Sequence, residues 1–121
     1  MGYKLVGVDQ SEEMLKKACI INEGNNKLEF IVGDVRNVRI QKQFDVVISL
    51  FHVTSYQTSN EDLFNMFETA GLHLKEGGLF VFDCWYGPAV LTDKPQVRIK
   101  RFSNEKINIL RIAEPEIYPN E

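Results

Sequence analysis

Two carboxylates, Asp9 and Asp34, each close a short apolar run, LVGVD at 5–9 and LEFIVGD at 28–34. In an open α/β sheet, ligands sit in the crevice outside the carboxyl ends of the strands. An acidic residue at that place is positioned to hold a ligand. Its two oxygens can accept hydrogen bonds from both hydroxyls of a ribose. Asp9 is therefore expected to grip the ribose of an adenosine-containing cofactor; the alternative is an ordinary residue at the entry to a helix.

The elements that position these carboxylates follow from the apolar pattern. Leu5, Val6 and Val8, with Gly7 among them, form a near-continuous run that fits a strand buried on both faces. Ser11 is placed to cap the next helix, with Glu12 and Glu13 at its positive end, Met14, Leu15 and Ala18 at helical spacing, and Gly24 as its stop. Leu28 to Val32 is a second strand, Val35 to Gln43 is polar and irregular, and Phe44 to Leu50 is a third buried strand. Its continuation, Phe51 to Gln57, is too polar for a sheet core and reads as a loop. Asn60 is expected to cap a helix that buries Leu63, Met66, Phe67, Ala70 and Leu74, carries Lys75 in its last turn and ends at Gly77-Gly78. Leu79 to Cys84 is the fourth buried strand. After Pro88 the pattern changes: Val97 to Phe102 and Ile107 to Ile112 alternate as an antiparallel hairpin, and Pro115 and Pro119 place the end in irregular structure.

Composition narrows the function classes. The 121 residues suit one domain or part of one, and 44% hydrophobic with 26% charged residues is ordinary for a water-soluble globular chain. A net charge of -3 argues against a general nucleic-acid binder. Cys19 and Cys84 have no metal-like or redox-like spacing and read as buried small hydrophobes, which fits a reducing compartment. No signal-peptide pattern and no apolar run of about 20 residues is present, so the expected location is cytoplasmic, with no membrane partner.

Four segments carry a family resemblance. LVGVDQSEEMLKKA at 5–18, VGDV at 32–35, FDVVISLFHVTSY at 44–56 and LHLKEGGLFVFD at 72–83 together resemble the class I S-adenosylmethionine-dependent methyltransferases. The stretch DCWYGPAV at 83–90 and the hairpin are similar to the small-molecule branch that includes sugar N,N-dimethyltransferases. The resemblance implies an α/β, Rossmann-like, doubly wound and mostly parallel sheet that lacks its first βα unit and carries a C-terminal antiparallel hairpin. It divides the chain into a partial core over 1–87 and a hairpin extension of the same domain over 88–121.

The same resemblance implies the site. Asp9 would bind the cofactor ribose, the Gln10 backbone would lie along the adenosine, and Met14 would pack near the adenine. Asp34, after Gly33, would accept the adenine amino group, with Val35 supplying backbone and apolar contact. Ser49, Leu50 and Phe51 would lie beside the methionine part, with His52 and Tyr56 as catalytic candidates and Trp85 and Tyr86 lining an acceptor pocket. S-adenosylmethionine carries no phosphate, so acceptors and an apolar slot suffice; no metal is implied. Methyl transfer is an in-line displacement governed by positioning, and a base such as His52 typically adds ~10²–10⁴ in rate.

One family feature has no counterpart. The glycine-rich turn after the first strand is missing, and the resemblance implies a preceding βα unit of roughly 30 residues. Without it, the chain alone is expected to bind cofactor weakly or not at all, and to self-associate through open strand edges. Two other functions remain open: an NAD-type oxidoreductase fragment, which also places an acid after its second strand, and a non-catalytic interaction module. Gly33-Asp34 and the helix entry SEEML favour methyl transfer to a small-molecule acceptor. On the hairpin, Arg98, Lys100, Arg101, Lys106 and Arg111 form either a solvated edge or a face for a phosphorylated acceptor such as a nucleotide-linked sugar. His73 carries no assigned role.

Overall fold

In the computed structural model, which describes residues 2–118, the first apolar run forms strand β1 (Leu5–Asp9). The Ser11 hydroxyl accepts the Met14 N–H at 3.3 Å and so caps helix α1 (Glu12–Ile21), with Glu12 and Glu13 in its first turn. Strand β2 (Leu28–Val32) lies parallel to β1, in a register that sets Leu5 beside Leu28 and Asp9 beside Val32. Strand β3 (Phe44–Ser49), a 3-10 turn at Val53–Tyr56, helix α2 (Asn60–Leu72) and strand β4 (Leu74–Phe82) follow. β3 and β4 are also parallel, with Ser49 beside Phe82. Among the described residues, each of these two strand pairs is its own two-stranded sheet.

The chain divides into two compact units, Met1–Cys84 and Trp85–Glu121. The first holds both parallel pairs. The second holds the six-residue helix α3 (Gly87–Thr92) and the antiparallel strands β5 (Arg98–Ser103) and β6 (Asn108–Ala113). Helix α3 was not anticipated from the sequence; Pro88 sits in its first turn, where a missing N–H costs nothing. The hairpin strands each lie one residue later than the pattern indicates, and Pro119 falls outside the described residues.

Helix α2 departs from expectation at both ends. Its cap is Ser59, not Asn60: the Ser59 hydroxyl accepts the Asp62 N–H at 3.0 Å and donates to Asp62 Oδ2 at 2.9 Å. It stops at Leu72 because the next residue is drawn into the sheet, the Phe44 N–H donating to the His73 carbonyl at 2.8 Å. Lys75 and Gly77-Gly78 therefore belong to β4. Gly77, at φ 75°, supplies the left-handed residue where the register jumps from Phe44 beside Leu74 to Val46 beside Leu79.

The strands are covered on one face rather than both. Phe67 of α2 packs edge-on against Phe80 and Phe82, at ring-centre distances of 5.8 and 5.3 Å. The opposite face of the β3–β4 pair, Val46, Ile48, Leu79 and Val81, stays exposed. A sheet of two strands with one helix buries only the helix side. The cysteines are also corrected, since Cys19 and Cys84 are both exposed. The inward stripe of α1 is narrow, with only Leu15 buried, and Cys84 lies beyond the end of β4.

The inward face of α2 is partly polar, burying Met66, Thr69 and Ala70, and His73 is buried just past its end. His73 Nε2 accepts the Ile40 N–H at 2.8 Å, and Nδ1 is 2.7 Å from the Thr69 carbonyl, to which it donates. Thr69 Oγ1 donates to the Arg36 carbonyl at 2.9 Å and accepts from Arg39 Nη1 at 2.8 Å. His73 thus acquires a role: with Thr69 it ties the irregular segment after β2 to α2. Replacing His73 with Phe keeps a buried ring but strands the Ile40 N–H, at an expected cost of about 1–3 kcal/mol. Chemical denaturation measures this; an unchanged midpoint and slope contradict the tie.

Candidate functional site

Parallel pairing brings the carboxyl ends of β1 and β2 together. The Gly33 N–H donates to the Asp9 carbonyl at 3.0 Å, so Asp9 and the Gly33-Asp34 pair are neighbours. Asp9 is exposed, and its Oδ1 accepts the Ser11 N–H at 2.7 Å, an Asx turn that fixes the carboxylate over the start of α1. Among the described residues Oδ2 accepts no hydrogen bond. Gln10 and Met14 follow on the same exposed turn, Met14 being 57% exposed. At Gly33 an added Cβ would lie 2.7 Å from Val38 Cγ2 and 3.2 Å from Val8 Cγ1. Close packing therefore requires glycine there, and this brings the chain beside Asp9.

Asp34 is held more firmly than the sequence suggests. Arg36 donates through its backbone N–H and Nε to Asp34 Oδ1, at 2.9 and 3.0 Å, and through Nη2 to Oδ2 at 2.6 Å. Nη1 of the same guanidinium reaches Asp62 Oδ1, in the first turn of α2, at 2.8 Å. One arginine thus joins the end of β2 to the start of α2. The Arg36 hydrogen bond pulls the Asp34 carboxyl below the ordinary carboxylate range, and burial opposes this only in part. Asp62 is lowered by the same guanidinium. Asp34 is therefore an ionised acceptor near neutral pH, with its orientation set by a planar bidentate partner. Val35, half-buried, follows it.

Both depressed carboxyls carry the same sign of linkage. The stabilisation from the arginine bridge is present above the unfolded value, 3.8, and is lost as pH falls through the lower folded value. Carboxyl-carbon NMR titration is expected to place the Asp34 midpoint below 3.8, and Arg36→Gln to move it upward. A midpoint indifferent to the substitution contradicts the assignment.

The ends of β3 and β4 form a second group. Ser49 closes β3, and its buried Oγ has no hydrogen-bond partner among the described residues; Thr54 Oγ1 is in the same condition. Leu50 is half-exposed and Phe51 is almost fully exposed. Phe51 and His52 both sit at φ 63°, a left-handed conformation that side chains rarely adopt. Asp83 holds them there: its Oδ2 accepts the Phe51 N–H at 3.1 Å and its Oδ1 accepts the His52 N–H at 2.7 Å. The Asp83 N–H itself donates to the Ser49 carbonyl at 3.2 Å. Consecutive left-handed residues cost of order 1–3 kcal/mol each and persist only where surrounding structure imposes them.

Asp83 was missed as a site residue. Its signal was present, since it ends an apolar strand as Asp9 and Asp34 do. His52 and Tyr56 are exposed beyond this turn. Trp85 and Tyr86 belong to the second unit, where both are exposed and Trp85 lines an open hollow with Asp93, Val97 and Arg98. The structure therefore brings together Asp9, Gln10, Gly33, Asp34 and Val35 as one group and Ser49, Leu50, Phe51 and His52 with Asp83 as another. Among the described residues no cluster of His, Cys, Asp or Glu is suited to a metal, and no helix is long and apolar enough to cross a membrane. Acceptor groups at the strand ends suit a ligand rich in hydroxyl and amino donors.

Comparison with known proteins agrees with this geometry. Residues 1–78 match the methyltransferase domain family. The dTDP-3-amino-3,4,6-trideoxy-alpha-D-glucopyranose N,N-dimethyltransferase of Streptomyces venezuelae is 29% identical over 87 residues, 72% of this chain and 35% of that protein. A crystal structure of an S-adenosylmethionine-dependent methyltransferase from Clostridium acetobutylicum superposes with a TM-score of 0.71 at 26% identity, over 93% of this chain and 46% of that one. A sugar N-methyltransferase from Streptoalloteichus shares the fold, with a TM-score of 0.73 at 20% identity over 88% of this chain and 42% of that one. The chain spans less than half the length of each of these relatives.

Proposed function

The chain belongs to the methyltransferase domain family and has the Rossmann-like α/β fold of S-adenosylmethionine-dependent methyltransferases, and from that premise we propose that the protein transfers a methyl group to a small-molecule acceptor. The observation that carries this reading is the pairing of β1 with β2. It sets the ribose-type acceptor Asp9 against Gly33-Asp34, through a main-chain hydrogen bond of 3.0 Å. The Streptomyces venezuelae relative, named for a dTDP-linked amino sugar, supports a small polar acceptor.

S-adenosylmethionine supplies an activated methyl group on a sulfonium centre. The residues present fit its other parts. Asp9 accepts the ribose hydroxyls on Oδ2 and on the remaining capacity of Oδ1. Asp34, oriented by Arg36, accepts the adenine amino group, while Met14 and Val35 give apolar contact and the Gln10 backbone runs beside the nucleoside. The Ser49 hydroxyl, buried and without a hydrogen-bond partner among the described residues, is assigned to the methionine end together with Leu50 and Phe51. His52 takes the proton released by the acceptor, and Tyr56 contacts the acceptor. Trp85 and Tyr86 are proposed acceptor contacts. Most of the rate comes from holding nucleophile and methyl group in line.

A dinucleotide-dependent oxidoreductase also uses an acid after its second strand, but it has no need of Asp34. Calorimetric titration separates the two. S-adenosylmethionine is expected to bind, weakly in the isolated chain, and NAD not to bind. Asp9→Ala is expected to weaken that binding by about tenfold or more, the loss of a charge-assisted hydrogen bond. Binding of NAD alone overturns the reading.

Self-association of the isolated chain is part of the same proposal. Among the described residues β1 pairs only with β2 and β3 only with β4, so each strand keeps one edge of unpaired backbone groups beside exposed Leu5, Val46 and Ile48. Sedimentation is expected to show dimers or larger species, and a monodisperse monomer contradicts it.

A further inference from the structure

The turn after β3 is strained in a way that a turn as such does not require. Phe51 and His52 both take φ 63°, while the other left-handed positions among the described residues, at 24 and 77, are glycines. Glycine or asparagine adopts that conformation at little cost, and phenylalanine does not. A chain that needed only to reverse direction here gains nothing from these two side chains. An unfavourable backbone that its surroundings impose at a strand end points to a side chain that is being aimed.

The bonds around the turn show which side chain that is. Asp83 accepts the Phe51 N–H on Oδ2 at 3.1 Å and the His52 N–H on Oδ1 at 2.7 Å. The His52 carbonyl accepts the Ser55 N–H at 2.9 Å, where the 3-10 turn begins. Peptide groups are planar, so these three bonds fix three successive planes, the two before the His52 Cα and the one after it. The direction in which the imidazole leaves the main chain is therefore set by bonds in which the imidazole takes no part. Asp83 is itself tied down, its N–H donating to the Ser49 carbonyl at 3.2 Å, one residue past the rung that sets Ser49 beside Phe82. On the far side of the turn, Gln57 Nε2 donates to the Val53 carbonyl at 3.2 Å. The end of β4 thus holds the loop after β3 with main chain and side chain together.

We propose that Asp83 is a positioning residue for methyl transfer, its carboxylate holding the Phe51–His52 turn so that His52 meets the acceptor and Phe51 the methionine end of the cofactor. Asp83 acts through the two residues it holds. Two main-chain N–H groups on one carboxylate make charge-assisted bonds that set an angle as well as a distance. A misplacement of about 1 Å at a reacting group costs on the order of 10²-fold in rate, which is the advantage of fixing this turn before any ligand arrives. The hold on the turn stands on the geometry alone. Its part in the reaction rests on the proposed methyltransferase function.

The test compares Asp83→Asn with Asp45→Asn in the full chain by backbone NMR, without ligand and with S-adenosylhomocysteine. Asparagine at 83 sets an NH₂ donor against one of the two amides, whereas Asp45, an acid of the same strand pair, bonds to Lys75 Nζ instead. Asp83→Asn is expected to move the Phe51 and His52 Cα signals out of the left-handed range and to displace those of 53–56. The signals of β1, α1 and β2 are expected to stay in place, and Asp45→Asn to leave 51–56 unchanged. With S-adenosylhomocysteine, Asp83→Asn is expected to lose the response at 49–52 and to keep that at Asp9 and Asp34. Should Asp83→Asn unfold, adding Phe51→Gly removes the steric cost at that position and is expected to restore the fold with the His52 signals still displaced. Unchanged signals of 51–56 in folded Asp83→Asn, a double variant that stays unfolded, or a ligand response at 49–52 that survives the substitution overturns the proposal. A displaced turn in a chain that binds no S-adenosylhomocysteine upholds the hold of Asp83 on His52 and removes only its link to methyl transfer.

Discussion

The hydrogen bond from the Gly33 N–H to the Asp9 carbonyl, 3.0 Å long, is the joint on which the site depends. It is the last rung of the parallel ladder between β1 and β2, and it exists because Gly33 has no side chain to collide with Val38 and Val8. Beyond that rung the two chains part, α1 rising from Ser11 and the irregular segment beginning at Asp34. The two carboxylates lie where ladder bonding ends, at the carboxyl ends of the strands. The proposed nucleoside roles of Asp9 and Asp34 come from the family resemblance and are compatible with this adjacency.

Around that joint the polar groups divide into those that are tied and those left available. Arg36 fixes Asp34 and reaches Asp62, while Thr69 and His73 hold the backbone of the same segment. One helix face thereby orients the whole turn after β2. Asp83 performs the equivalent service at the other strand pair, with its two oxygens on two successive amides. In both cases an acid beside a strand end is oriented by its bonds to the backbone or to an arginine. Asp9 is exposed and, among the described residues, keeps one carboxylate oxygen without a hydrogen bond.

Much of this was legible in the sequence. The acid-terminated apolar runs located Asp9 and Asp34, and helical spacing with a capping serine located α1. The resemblance carried by four segments indicated the family that the match over residues 1–78 establishes. Other features were hidden for physical reasons. Phe51 and His52 are not residue types that announce a left-handed turn, because a distant carboxylate imposes it. His73 looked inert since its function is two hydrogen bonds to groups far along the chain or one turn back. The end of α2 was misplaced because glycines that ordinarily stop a helix here form a bulge inside β4. Strand burial was overestimated because an apolar run records what a strand is able to bury, whereas only one face of each pair has a helix against it.

The central claim is that the carboxyl ends of β1 and β2 hold an adenosine. Amide chemical-shift mapping of the chain with S-adenosylhomocysteine tests it most directly, since it locates even a weak ligand. The account predicts that the largest changes fall at Asp9, Gln10, Gly33, Asp34 and Val35, with a second group from Ser49 to His52. Changes that spare Asp9 and Asp34, or that concentrate on the hairpin, would contradict it.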